Sequence, residues 1–305
     1  MEGSAATATE LGQGSPVEPS PAAGQAPPTC PGAYGLRLPE LRDCAELLVR
    51  APERWTEWRL ALGEGSGAPT ELLEDSRARV RSAPSGWVDI DRLRRTSTIN
   101  LPEAPTAAEL AQPFLGSTAI VAAHWAGLHS FHAGAFVAHG RAWAILGPRG
   151  AGKSSLLAAL ALDGAPILAD DVLVVGDGPR GLAGPRCIDL RGETARALDV
   201  GDPMGVVGTR ERWRLRVGPV APEVPLGGWV HLEWGESAIR NVQPERRVGV
   251  LLANVALRAQ PGGPAALSRL MELFALPMVG LRRPRGLEQI AETTRRLTDH
   301  LAQLA

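Results

Sequence analysis

Residues 142–156, Ala-Trp-Ala-Ile-Leu-Gly-Pro-Arg-Gly-Ala-Gly-Lys-Ser-Ser-Leu, constrain this chain more than any other stretch. An apolar, strand-like run (Ala142 to Leu146) leads into a glycine-rich turn, and good helix formers (Ser154 to Leu162) lead out. Gly147, Gly152, Lys153 and Ser154 fill the spacing G-x-x-x-x-G-K-[ST], with Pro148, Arg149, Gly150 and Ala151 between them and Ser155 next. That strand–loop–helix unit is the context a phosphate-binding loop needs. Glycines let successive backbone N–H groups converge on an anion, and the helix N-terminus adds positive potential. Lys153 then supplies a point charge for the outer phosphates, and the Ser154 hydroxyl a ligand for magnesium.

The composition sharpens this reading. Of 32 basic residues, Lys153 is the only lysine and the other 31 are arginine. A chain so biased against lysine keeps one where a compact ammonium is wanted rather than a planar fork. The same bias, with abundant alanine, glycine and proline, reflects coding more than architecture. At 305 residues and a formal charge of −1 the chain suits one large domain or two small ones. No global field draws it to nucleic acid or an anionic membrane. The three cysteines (Cys30, Cys44, Cys187) show no paired spacing, which argues against a disulfide scaffold and a zinc site. No apolar run reaches the roughly 18 residues of a membrane span, and no basic-then-apolar leader is visible. A soluble, cytoplasmic protein is the expectation.

Residues 1–33 hold almost no bulky apolar side chain and read as a disordered tail. Residues 34–106 read as a small, mostly β region, with short strands at Tyr34–Leu38, Trp55–Leu62 and Trp87–Ile90. Residues 107–305 carry the phosphate loop. Helical periodicity runs from Thr106 to Gly127, interrupted by Pro113. The run Ala133–Ala138, the turn His139-Gly140 and Arg141–Leu146 predict a hairpin whose second strand feeds the loop. Ile167–Val175 reads as strand-like, as do Gly181–Ala183, Cys187–Leu190, Arg212–Val217 and Gly228–Trp234. Helices are expected near Pro264–Phe274 and Leu287–Leu304, with an arginine-rich strand or turn at Val279–Arg285 between them.

Phosphoryl transfer also needs a metal ligand and a group to accept the acceptor's proton. Asp170-Asp171 lies 23 residues after Gly147, at the end of an apolar segment. One carboxylate can hold Mg2+ with Ser154 while its neighbour accepts a hydroxyl proton. Adjacent strand residues face opposite ways, so both serve one site only if the backbone turns there. His132, on the hairpin's other arm, is a further candidate for orienting phosphate or acceptor. His124 and His129 do not form a convincing metal site.

His132, the loop Gly147–Ser154 and the phrase Gly-Ala-Pro-Ile-Leu-Ala-Asp-Asp ending at Asp171 resemble the catalytic domain of the HPr kinase/phosphorylase family, over about 128–190. The resemblance implies an α/β fold with a mixed sheet of the HPr kinase/phosphoenolpyruvate carboxykinase type. It also implies ATP or another NTP with Mg2+, transfer to a serine hydroxyl, and one paired aspartate as base. A family basic residue on a mobile loop has only Arg210, Arg212 and Arg214 as candidates here. Ser155 stands where regulatory members carry an acid, and that branch's N-terminal domain has no match. The chain is more similar to divergent actinobacterial members, some of which phosphorylate precursor peptides of natural products.

The expected acceptor is therefore a peptide, protein or small molecule with a hydroxyl, with neither nucleic acid nor membrane as partner. A homo-oligomer is compatible with the sequence, which does not decide between ATP and GTP or the direction of transfer. The alternative is a non-catalytic nucleotide-binding accessory protein of a biosynthetic complex. Two carboxylates argue against it, since a pure binder needs at most one.

Overall fold

The computed structural model describes residues 29–65, 67, 69–83, 86–257 and 264–304. The stretch 1–28 of the expected tail lies outside the described residues, whereas Pro31–Ala33, at its end, forms strand β1. Four short strands make the first sheet: β1, β2 (Leu36–Arg37), β3 (Val49–Arg50) and β4 (Thr56–Glu57). The expected strand Tyr34–Leu38 is thus a hairpin turn at Tyr34-Gly35 followed by β2, because both turn residues adopt positive φ. A second sheet holds β5 (Arg59–Glu64), β6 (Leu72–Leu73), β7 (Arg77–Ala83), β8 (Gly86–Asp91) and β9 (Thr96–Leu101) in the order β5-β9-β8-β7-β6.

A capping box starts the next element. Thr106 accepts from the Glu109 N–H, and the Glu109 carboxylate accepts from the Thr106 N–H at 2.7 Å. The helical path runs through α1 (Ala107–Glu109) and a wider turn at Leu110–Phe114 into α2 (Leu115–Trp125). Pro113 forces the break, since the residue before proline is pushed out of the helical region and Gln112 is extended.

The large mixed sheet follows. Its strands are β10 (His129–Phe131), β11 (Gly134–Ala138), β12 (Arg141–Leu146), β13 (Ile167–Ala169), β14 (Leu173–Gly176) and β15 (Arg180–Leu182). Beside it a small sheet holds β16 (Cys187–Leu190), β17 (Asp202–Val207) and β18 (Arg210–Arg216), with α4 (Gly192–Leu198) between β16 and β17. The long strand β19 (Glu223–Trp234) and the edge pair β20 (Ala238–Asn241) and β21 (Met278–Arg283) complete the large sheet. Its order among the described residues is β10-β14-β15-β19-β12-β11-β13, with β21 on β19 and β20 on β21.

The expected hairpin is β11–β12. His139 and Gly140 both take positive φ, the geometry a two-residue turn needs to match strand twist. β12, β19 and β21 run parallel, so Leu146, Trp234 and Arg283 end at the same rim of the sheet. The phosphate loop follows β12 at that rim, where ligands of open α/β sheets bind. Helix α3 (Lys153–Leu162) packs on one face with α7 (Ile290–Ala302), burying Leu156, Leu160, Leu297 and Leu301 against Phe136, Ile145 and Val230. α5 (Pro244–Asn254) and α6 (Pro264–Ala275) cover the other face over Trp229, Leu251, Leu273 and Met278.

One expectation is corrected here. Ile167–Val175 is not one strand: β13 pairs with β11 at one end of the sheet, while β14 pairs with β10 and β15 at the other. The chain crosses between them at Asp170-Asp171-Val172. The N-terminal region also shares a core with this part, since Leu38, Leu41, Trp58 and Ile99 cluster with Phe114, Val174 and Cys187.

Candidate active site

The loop between β12 and α3 turns on glycine. Gly147, Gly150 and Gly152 all have positive φ, and Gly152 at +86° caps α3. A Cβ at Gly147 would approach the Leu232 carbonyl to 2.9 Å, while one at Gly152 would collide with Arg283 Nη2 and the Trp234 ring. Pro148, Arg149 and Gly150 are exposed, Ala151 is buried, and Lys153, Ser154 and Ser155 are half-buried. Lys153 Nζ folds back over the loop to donate to the carbonyls of Gly147 (2.6 Å) and Pro148 (3.3 Å). Burial lowers its pKa, against the raising effect of Asp171 and Asp170. Ser155 Oγ lies 3.4 Å from Thr194 Oγ1 on α4.

Ser154 and the acidic pair meet. Ser154 Oγ donates to Asp170 Oδ1 at 3.0 Å. The other Asp170 oxygen accepts the Asp189 backbone N–H at 3.2 Å. Asp170 is 4 % exposed, and its pKa is pushed up to about 7, first by burial and then by the charges of Asp171 and Asp189. Asp171 sits at φ +70 in a tight turn closed by Val172 N–H to Asp170 C=O at 2.9 Å. The turn is what a regular strand denies: it leaves Asp170 buried beside Ser154 and Asp171 exposed, within electrostatic reach of Lys153. Asp171 accepts no side-chain hydrogen bond among the described residues.

Beside Asp170 lies a buried ion pair. Asp189 takes a two-point bond from Arg214 (2.9 and 3.1 Å) and another from Arg212 Nη1 at 3.3 Å. Arg214 also donates to the carbonyls of Ala108 and Gln112, tying the site to the start of α1 and the Pro113 turn. Arg210 Nη2 reaches the Asp189 carbonyl at 3.5 Å. The three arginines alternate along β18 and so share one face, the one turned to Asp189. Arg214 is wholly engaged as an anchor. Arg212 is half-freed by comparison and feels the charge of Asp171.

His132 is placed differently from expectation. It lies in the bend between β10 and β11 rather than on a strand, because its N–H is drawn to the Asn254 carbonyl at 2.8 Å. Its ring is exposed. The same Asn254 accepts the Gly147 N–H through Oδ1 at 3.2 Å, so the end of α5 joins the His132 bend to the first residue of the loop. His129 is held by the Ala266 carbonyl at 2.7 Å. Burial lowers the pKa of His124. These two are packing residues.

Sequence reasoning missed Asn254 and Tyr34, and met Arg283 only as one of the arginine-rich segment Leu281–Arg285, readable as a surface loop or as a binder of a substrate anion. Tyr34, the only tyrosine, is buried with a hydroxyl that finds no partner among the described residues. Burial raises its pKa first, and Asp171 adds to that, so the N-terminal turn reaches the neighbourhood of the acids. Its sole sequence signal was singularity. A separate cleft of about 350 Å3, lined by His231, Arg246 and Arg282 among others, contains none of the loop or acid residues.

No family model matches the sequence, and no curated protein matches it. Among solved structures, the Hpr(Ser) kinase/phosphatase from Coxiella burnetii is similar at 14 % identity. The match covers 57 % of this chain and 97 % of that chain, with a TM-score of 0.28. A likeness that loose carries no argument about chemistry, which rests on the residues above.

Those residues can hold an anion and a hard cation together. The loop amides after Pro148 and Lys153 suit the anion, and Ser154 with Asp170 offers oxygen donors for the cation. No group of three or more His, Cys, Asp or Glu that could hold a metal is present among the described residues. A magnesium ion, which keeps few protein ligands and takes the rest from phosphate and water, suits such a set.

Proposed function

We propose that the protein is a Mg2+-dependent kinase that moves the terminal phosphoryl group of ATP, or another NTP, to a serine-type hydroxyl of a peptide, protein or small molecule. The observation that carries the reading is the Ser154–Asp170 bond at 3.0 Å at the start of α3, with Asp171 turned outward beside it. A bare anion-binding loop needs neither acid. Here one acid is held against the loop serine and the other is left unengaged.

Each residue then has one task. Loop amides that follow Pro148, through Ser154, cradle the phosphates, and Lys153 exchanges its two carbonyl partners for phosphate oxygens. Ser154 and Asp170 would hold Mg2+, which supplies charge neutralisation on the phosphates when bound. Asp171 accepts the acceptor's proton as its oxygen bonds to phosphorus and the bond to the nucleoside diphosphate breaks. Arg212 stands on the Asp171 side as a cation for the charge that develops there. Arg214 and Asp189 position Asp170 rather than touch substrate.

The test is Asp171→Asn. It should keep ATP·Mg2+ affinity within a small factor and abolish phosphoryl release or transfer. Full turnover in the variant would remove Asp171 from the role of base. Wild-type binding with no turnover under any condition would instead favour the non-catalytic accessory module.

A further inference from the structure

Two deeply buried arginines stand at this site, and they are treated differently by their surroundings. Arg214 is 4 % exposed and fully paired with Asp189. Arg283 is 1 % exposed and has no carboxylate within salt-bridge distance among the described residues. Its Nη1 donates only to two neutral carbonyls, Pro284 at 3.2 Å and Gly286 at 3.4 Å. Its Nε has no partner among the described residues. Burial lowers its pKa with no carboxylate to offset it, whereas Asp189 offsets the burial of Arg214. A guanidinium nevertheless stays charged at any pH the fold tolerates. Burying such a charge unpaired is unfavourable.

The rest of the geometry says where it points. Arg283 ends β21 and lies in register with Trp234, at the end of β19, on the rim that carries the phosphate loop. Its guanidinium lies over the Trp234 ring at 4.5 Å, and Arg285 approaches the same ring at 5.4 Å. The stack fixes the plane. Arg283 Nη2 is then pressed against Gly152, the residue that caps α3 and precedes Lys153. Gly152 accommodates it by having no side chain. A fixed cation thus lies against the loop residue that caps the helix.

We propose that Arg283 is a built-in counter-charge for the polyphosphate held by the loop, neutralised only when that anion is bound. The inference rests on the nucleotide-binding reading of the loop. It gives the arginine-rich end of β21 a specific task and predicts that the ligand-free protein carries a destabilising charge that its ligand relieves.

The experiment compares wild type, Arg283→Met, Arg283→Lys and Lys153→Ala for melting temperature without ligand and for titration with ATP·Mg2+ and with pyrophosphate. Arg283→Met should melt at or above the wild-type temperature and bind both anions about tenfold or more weakly. Arg283→Lys should stay closer to wild type in affinity than Arg283→Met does. An Arg283→Met protein that binds within twofold of wild type overturns the proposal, as does one that melts lower with affinity intact. Should Arg283→Met not fold, Arg283→Lys decides: affinity within about threefold of wild type supports the charge, and a loss as deep as that of Lys153→Ala overturns it. If wild type binds and Lys153→Ala does not, the loop reading stands whatever position 283 shows. If wild type binds neither anion, both readings fall.

Discussion

Replacing Asp170 by asparagine should change how stability depends on pH. In the folded protein the carboxyl has a pKa of about 7, against 3.8 for an ordinary aspartate. At about 1.36 kcal/mol per unit, the ionised form is disfavoured by about 4 kcal/mol in the absence of a cation. A folded-state pKa raised above the unfolded one contributes stability that is complete below about pH 4 and is lost as pH rises toward 7. Between pH 5 and pH 8 that loss integrates to about 2.5 kcal/mol. Asparagine does not titrate, so Asp170→Asn should gain about that much on wild type over the interval. The amide also disturbs the bond from the Asp189 N–H, but that cost is the same at both pH values and drops out of the difference. Urea unfolding of both proteins at pH 5 and pH 8, without nucleotide or Mg2+, measures it. Parallel pH profiles would refute the argument, because they would mean that Asp170 is ionised in the fold at ordinary pH without penalty.

Three further substitutions follow, two at the supports of the site and one for comparison. Asp189→Ala leaves Arg214 buried without its partner and should cost about 3–5 kcal/mol in urea unfolding, whereas Arg54→Ala, which breaks the exposed end of an ion pair with Glu223, should cost less than about 1 kcal/mol. Asn254→Ala removes the acceptor for the Gly147 N–H; a cost of about 1 kcal/mol in stability, with a measurable loss of ATP affinity by titration, would show that α5 holds the loop's first residue in place.

How much of this was legible beforehand follows from what is local. The hairpin and the loop were, because two positive-φ residues, three glycines and two continuous apolar runs act within a few positions of one another. The small β region and the mixed α/β sheet were legible in kind. The crossover at Asp170-Asp171 was only half so: the pair was visible, but Ile167–Val175 reads as one apolar run whether it forms one strand or two. What splits it is the competition of β11 and β14's partners for the two halves, a matter of pairing between distant segments. Asn254 and Tyr34 are the same lesson in sharper form. They arrive from α5 at the loop and from the first turn near the acids, and no spacing rule connects them to Gly147; Arg283 was visible only as one of an arginine-rich segment. Helix α5 itself was hidden by arginines and glycine in its interior, and it is helical because Leu251 and Asn254 are buried against the sheet.

The most direct test of the central claim is titration of ATP·Mg2+ into wild type and Lys153→Ala, with phosphate release followed in the same samples. The account predicts saturable binding and slow release in wild type and the loss of both in Lys153→Ala. Binding that survives in Lys153→Ala, or none in wild type, would contradict it.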